Sequence, residues 1–321
     1  MPSSISSFES DESYVTSREN VIERRHVVFL LTAIAITCAL VELATNVWSH
    51  SINKYGWQVE TEYAEAVGLR PGAVGQRKSM LIVGNSTLRC GVDVGDLRNQ
   101  VQPDLDAHVL SLNSTLIEDW YFALRELFRK GAHPDFLVLM LPPNHVAFVA
   151  PFPDEAAYYL LGIQDILMLR RAEGVSPTEL SNIFFARYSA FFSRRNPLRL
   201  RVKSRLFPGF ATVSLRYMVK RPIPDYRPVP GRFRDFKTLC AKNGVRLLFV
   251  IPPTHQEYDT LGTPVVLADA ESAGVPASVP VPNAQLSADK FADGYHLNGE
   301  GQKVFTAALA AFLTKQARYD H

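Results

Sequence analysis

The chain is poor in cysteine, with three among 321 residues. Three thiols build no disulfide framework. Cys38 lies in an apolar run, so Cys90 and Cys240 are read as two free thiols or as one conceivable pair. Charge of one sign is also lacking: 34 Lys+Arg against 32 Asp+Glu leave +2, and no global field steers the protein to nucleic acid. The 18 glycines and 21 prolines follow no period, which excludes collagen-like and simple solenoid chains. No Walker loop, dinucleotide fingerprint or CxxC pair is present, and no cofactor is expected. What the chain does have is an ordinary apolar share of 47%, enough for a folded core. Its length allows one large domain or two small ones.

Residues 1–26 are polar and rich in Ser and Glu, and read as a solvated tail ending near Arg24-Arg25. Residues 27–48, VVFLLTAIAITCALVELATNVW, follow. As a helix this run is about 33 Å long, enough to cross a hydrocarbon core of about 30 Å. Its one formal charge, Glu42, lies toward the C-terminal end, and Trp48 stands where an interfacial aromatic belongs. A cleaved signal peptide wants small residues around its cut, and Glu42-Leu43-Ala44 fits poorly. A lipoprotein cut before Cys38 meets Thr37. The reading taken is an uncleaved single-pass signal anchor in the cell membrane, with the tail cytoplasmic and the remainder extracytoplasmic.

Residues 49–78 read as a juxtamembrane connector, with helical periodicity around Trp57–Val67 and a breaker at Arg70-Pro71-Gly72. Residues 79–321 then form one domain. Four apolar runs have strand length: Met80–Val83, His108–Leu112, Phe136–Leu141 and Arg246–Ile251. Helical stretches Leu116–Lys130 and Phe233–Asn243 precede the last two and stop at Gly131 and Gly244. A final amphipathic helix covers Gly301–Arg318. Strands alternating with helices predict an α/β fold with a parallel sheet covered on both faces.

An insertion at about 150–232 breaks that rhythm, with helical patterns at Asp154–Arg171 and Pro177–Arg194. From Arg187 to Lys237 there are 14 Lys/Arg against Asp225 and Asp235. Such a segment is a solvated basic face, or a shelf for anionic lipid or polymer. Phe184-Phe185 and Phe191-Phe192 read as core at helical spacing, or as a membrane-dipping stripe.

Two short segments carry chemistry. Leu81-Ile82-Val83-Gly84-Asn85-Ser86 ends an apolar strand on a Ser, at the sheet edge where ligands bind in open α/β folds. Ser86 is there a candidate nucleophile, and its N–H a candidate oxyanion donor; the plainer reading is a helix cap. Asp293-Gly294-Tyr295-His296, just before the last helix, spaces a carboxylate three residues from an imidazole. Turned back, Asp293 fixes the tautomer of His296 and leaves its other nitrogen as a base. His145 and His255 also follow strands at this edge and read as cleft-lining; no metal is expected.

In the order Ser, Asp, His, these segments resemble the SGNH (GDSL-type) hydrolase superfamily, in particular its membrane-anchored members associated with O-acetylation of cell-envelope polysaccharides. The resemblance covers about residues 79–316. It implies a doubly wound, three-layer α/β/α fold (flavodoxin-like) and acyl-ester chemistry. Ser86 is then the nucleophile, His296 the base and Asp293 its orienting partner. The resemblance further implies an oxyanion hole of Ser86, Ser114 and Asn144, an acylated carbohydrate substrate, and a multi-spanning membrane acyltransferase as a possible partner. The chain departs from the pattern in two places. Asn85 replaces the usual Asp, and Leu112-Asn113-Ser114-Thr115 lacks the usual Gly, so φ > 0 is harder to reach. These departures point to a specialised member. They also keep open a non-catalytic scaffold or polysaccharide-binding subunit, and a membrane-surface lipid or phosphate binder.

Overall fold

The computed structural model describes residues 12–52, 54–73, 75–147, 152–169, 175–207, 231–254 and 257–318. The chain divides into two compact units, 1–53 and 54–321. The first holds α1 (Glu12–Ile52). Its stretch Arg24–Val47, with a mean hydropathy of 2.5, is long and apolar enough to cross a membrane.

The second unit opens with α2 (Lys54–Gly68), and here the structure corrects the connector reading. Tyr55, Val59, Tyr63 and Ala66 recur at helical spacing and pack into the core, while Trp57 on the other face is 62% exposed. Residues from 54 onward therefore belong to the globular unit.

Five parallel strands follow: β1 (Lys78–Gly84), β2 (Leu105–Ser111), β3 (Phe136–Met140), β4 (Arg246–Val250) and β5 (Ala277–Ser278), in the order β2-β1-β3-β4-β5. Strand alternation sorts their side chains into two cores. Leu81, Val83, Leu137, Leu139, Leu247 and Phe249 face α2, α5 (Ile117–Arg129), α11 (Arg232–Lys242) and α12 (Glu257–Ser272). Met80, Ile82, Phe136, Val138, Leu248 and Val250 face α3 (Ser86–Gly91), α4 (Val94–Val101) and α13 (Gly299–Arg318). Burial on both sides explains why β1, β3 and β4 read as nearly unbroken apolar runs. The fold is the three-layer, doubly wound α/β/α architecture, with the flavodoxin-like strand order.

Between β3 and α11 lie α6 (Pro143–Ala147), α7 (Asp154–Leu160), α8 (Ile163–Leu169), α9 (Pro177–Tyr188) and α10 (Ala190–Leu206). Ala157, Leu161, Ile166, Leu169, Ile183 and Ala186 give this insertion a small core of its own. Buried Asp165 ties it to α5, accepting from Arg125 Nε at 3.0 Å and Arg129 Nη2 at 3.4 Å. Phe192 packs on that core, but Phe184, Phe185 and Phe191 are exposed, so the core reading holds for only one of the four. Much of the basic stretch, 208–230, lies outside the described residues.

Candidate active site

β1 delivers Ser86 to the head of the sheet. Gly84 pairs with Ser111 on one side and Met140 on the other. A Cβ on Gly84 would sit 2.4 Å from Met140 O, so only glycine lets β3 approach this closely. Asn85 then leaves the strand and caps α3, its Oδ1 accepting from Thr87 N at 2.9 Å and Thr87 Oγ1 at 2.8 Å. Ser86 is the first helical residue, half-buried, at the point where the chain's connections diverge to β2 and β3. Open α/β sheets hold their ligands at that switch point.

The second segment is a tight loop before α13. An isolated bridge joins Phe291 to Leu297, and Gly294 turns the chain at φ +81°. Asp293 Oδ1 accepts from Tyr295 N at 3.0 Å and His296 N at 2.8 Å, fixing the carboxylate beneath the ring. Asp293 Oδ2 lies 2.7 Å from His296 Nδ1, and His296 Nε2 lies 2.9 Å from Ser86 Oγ. Partial burial pushes the Asp293 carboxyl up, but the bonds from the His296 N–H and ring and from Tyr295 outweigh it and hold the group below the ordinary value. An ionised Asp293 keeps the proton on Nδ1 and presents the Nε2 lone pair to the hydroxyl. Asn298 closes the segment, accepting from Glu300 N and Gly301 N at 3.1 Å each.

The loop after β2 supplies the third edge. Ser114 adopts φ +62°, the one non-glycine residue with positive φ among those described. The left-handed conformation that the missing glycine made costly is thus reached by a serine. Ser114 is exposed, and its N–H donates to no described residue. Asn144, in α6, accepts from Tyr295 Oη at 3.4 Å through Oδ1, which leaves its NH2 as the donating end. His145 lies beside them. Its Nδ1 is 2.6 Å from Asn85 Nδ2 and 2.9 Å from Thr115 O. Burial lowers its pKa, only partly offset by the Thr115 carbonyl, and nearby His296 lowers it further. Cys90 is no rival nucleophile, because burial and the charge of Asp293 both push its thiol up. His255 lies outside the described residues. Ser86, Asp293 and His296 are thus brought into contact. Asn144 is linked to Asp293 through Tyr295, and Asn85 and His145 share the Thr115 carbonyl with each other.

The sequence reading missed Tyr55, Glu62 and Arg89. Arg89 Nη2 donates to Ser111 O and, at 2.9 Å, to Ser111 Oγ. Its guanidinium lies 4.0 Å from the Tyr55 ring centroid. No signal in the sequence pairs α2 with the β2 loop, since the contacts span some 50 residues.

No protein-family model matches this chain, and no curated protein matches it in sequence. Among solved structures it is similar to TesA, at 13% identity over 74% of this chain and 97% of that one, with a TM-score of 0.35. It is also similar to the psychrotrophic esterase EstA from Pseudoalteromonas sp., in a structure inhibited by monoethylphosphonate. That likeness has 12% identity over 75% of this chain and 99% of the other, with a TM-score of 0.36. Likeness of this degree assigns neither family nor activity.

Proposed function

We propose that the protein is a membrane-anchored, extracytoplasmic serine esterase or O-acyltransferase of the SGNH type, acting on acylated cell-envelope carbohydrate. The observation that carries this reading is the continuous relay Asp293 Oδ2–His296 Nδ1 at 2.7 Å and His296 Nε2–Ser86 Oγ at 2.9 Å. Geometry of this kind is what a hydroxyl needs to become a nucleophile at neutral pH.

His296 removes the Ser86 proton as Oγ attacks the acyl carbonyl. The carbonyl oxygen becomes an oxyanion, met by the N–H groups of Ser86 and Ser114 and the Asn144 amide. Collapse expels the first alcohol, which takes the proton from His296 and leaves acyl-Ser86. Water or a sugar hydroxyl then gives its proton to His296 and attacks the ester, and Ser86 recovers its proton when the product leaves. The acyl donor is an acylated sugar or an acyl group exported by a multi-spanning membrane acyltransferase. The exposed, apolar Arg24–Val47 helix and the Arg24-Arg25 flank support an anchor with residues 54–321 outside the cytoplasm.

The test is labelling of the full chain with a fluorophosphonate. Wild type labels at Ser86 and Ser86→Ala does not. A wild-type chain that stays unlabelled while folded sinks the enzyme reading and favours a non-catalytic scaffold.

A further inference from the structure

Ser114 is held in its unfavourable conformation from outside its own loop. Ser111, the last residue of β2, gives its N–H to Glu62 Oε2 at 2.8 Å and its hydroxyl proton to the same oxygen at 3.1 Å. Asn113 gives its N–H to Tyr55 Oη at 2.8 Å. Beyond Ser114, the Thr115 carbonyl accepts from Asn85 Nδ2 at 3.3 Å and lies 2.9 Å from His145 Nδ1. Thr115 Oγ1 donates to Leu112 O at 2.7 Å. The loop is therefore fastened at 111 and 113 by α2, and at 115 by residues beside the nucleophile. Arg89, one turn after Ser86 on α3, joins the two sets: it donates to Ser111 and stacks on Tyr55.

We propose that α2, the helix that follows the apolar segment directly in sequence, is the support of the oxyanion loop, with Tyr55 and Glu62 as its positioning residues and Arg89 as the tie to the nucleophile helix. This rests on the esterase reading of Ser86, His296 and Asp293. A left-handed serine persists only where its surroundings over-determine it. Here two α2 side chains take up the backbone N–H groups on its N-terminal side, which leaves the Ser114 N–H for an oxyanion. The effect falls on the transition state, because the oxyanion forms only there. Ground-state binding of substrate is left nearly as it was.

The experiment uses the full chain in detergent or nanodiscs, with p-nitrophenyl acetate turnover and the rate of fluorophosphonate labelling at Ser86 as readouts. Tyr55→Phe keeps the ring under Arg89 and removes the acceptor. Glu62→Leu removes an acceptor, and Glu62→Gln keeps one. The double variant Tyr55→Phe/Glu62→Leu should lose kcat by about the 10²-fold that follows removal of one oxyanion donor. KM and the melting temperature should stay close to wild type, and Glu62→Gln should recover most of the loss. The proposal is overturned if the variants label and turn over as wild type does, or if the loss lies in KM or follows the melting temperature. A wild-type chain inert to both reagents instead removes the esterase reading, and this support role with it.

Discussion

Asn85 and His145 meet at the head of the sheet, with Nδ2 of one 2.6 Å from Nδ1 of the other and Thr115 O 2.9 Å from that same Nδ1. One ring nitrogen does not accept from an amide and donate to a carbonyl at the same time. Turning the Asn85 amide gives no relief, because its Oδ1 already accepts from Thr87 N and Oγ1. Burial keeps His145 neutral by lowering its pKa. A carboxylate at position 85 would accept from a protonated Nδ1 and favour the cation.

Asn85→Asp should therefore raise the pKa of His145, read by NMR titration of its ring. The helix cap survives, since Asp and Asn cap equally well. An unchanged His145 titration would show that the two side chains do not share a proton contact in solution.

The relay itself predicts a non-additive series. Ser86→Ala and His296→Ala should each abolish turnover, and the double variant should be no worse than either, because the groups act as a unit. Asp293→Asn keeps the loop bonds from Tyr295 and His296 but favours the wrong imidazole tautomer. About 10⁴-fold in kcat should be lost with the fold intact. Strictly additive losses in kcat would show that Ser86 and His296 do not act on one bond.

Much of this was legible in sequence for identifiable reasons. β1, β3 and β4 are buried on both faces, so each is a nearly unbroken apolar run ending at a turn signal, whereas β2 carries exposed Asp106 and half-buried His108. Asp293 and His296 are close in sequence, and their contact needs only a short loop. The structure adds what depends on distant pairing. β5 is two residues long and has no pattern to read. Helical periodicity around Trp57–Val67 is visible in α2, but nothing in the sequence says what that helix packs against. Glu62 is used inside the fold, on Ser111, and Glu65 meets His108 Nδ1 at 3.1 Å. The left-handed φ of Ser114 is reached although it is costly without a glycine, and the sequence carries no sign of how, because the bonds that compensate come from another helix.

Asp119 gives the fold a pH dependence. The carboxylate is buried in α5 and accepts from Leu116 N at 2.7 Å. Burial, the largest influence, raises its pKa to about 8 despite that bond. The unfolded value lies near 3.9. Between those values the folded chain binds more protons, so stability falls as pH rises and the loss is complete above the folded pKa. The full stabilisation is present below the unfolded value, while between the two values the folded group stays protonated and the unfolded one does not. Melting temperature should drop from pH 5 to pH 8 more steeply in wild type than in Asp119→Asn, whose neutral amide keeps an acceptor for Leu116. Parallel pH profiles would remove Asp119 as the source.

The insertion makes the last prediction. α10 carries Arg194, Arg195, Arg199, Arg201, Lys203 and Arg205 and no acid. Arg194 is buried against Glu60 and Tyr159, and Arg195 pairs with Asp154 at 3.2 Å. Arg199, Arg201 and Arg205 are exposed beside exposed Leu200, Val202 and Leu206, with Phe184 and Phe185 exposed on α9. Cations mixed with apolar side chains suit an anionic bilayer surface, each charge there contributing on the order of 1 kcal/mol. The full chain, labelled with bimane through Val202→Cys in a Cys38→Ser/Cys90→Ser background, is placed in nanodiscs containing spin-labelled lipid. Quenching is expected with phosphatidylglycerol, should weaken in phosphatidylcholine alone and at high salt, and should be lost in Arg199→Gln/Arg201→Gln/Arg205→Gln. Salt raises screening within a Debye length of about 10 Å at 0.1 M, so a surface contact of this kind must respond. Equal quenching without anionic lipid would assign the contact to the apolar side chains alone, and no quenching in any lipid would make this stretch a solvated basic face.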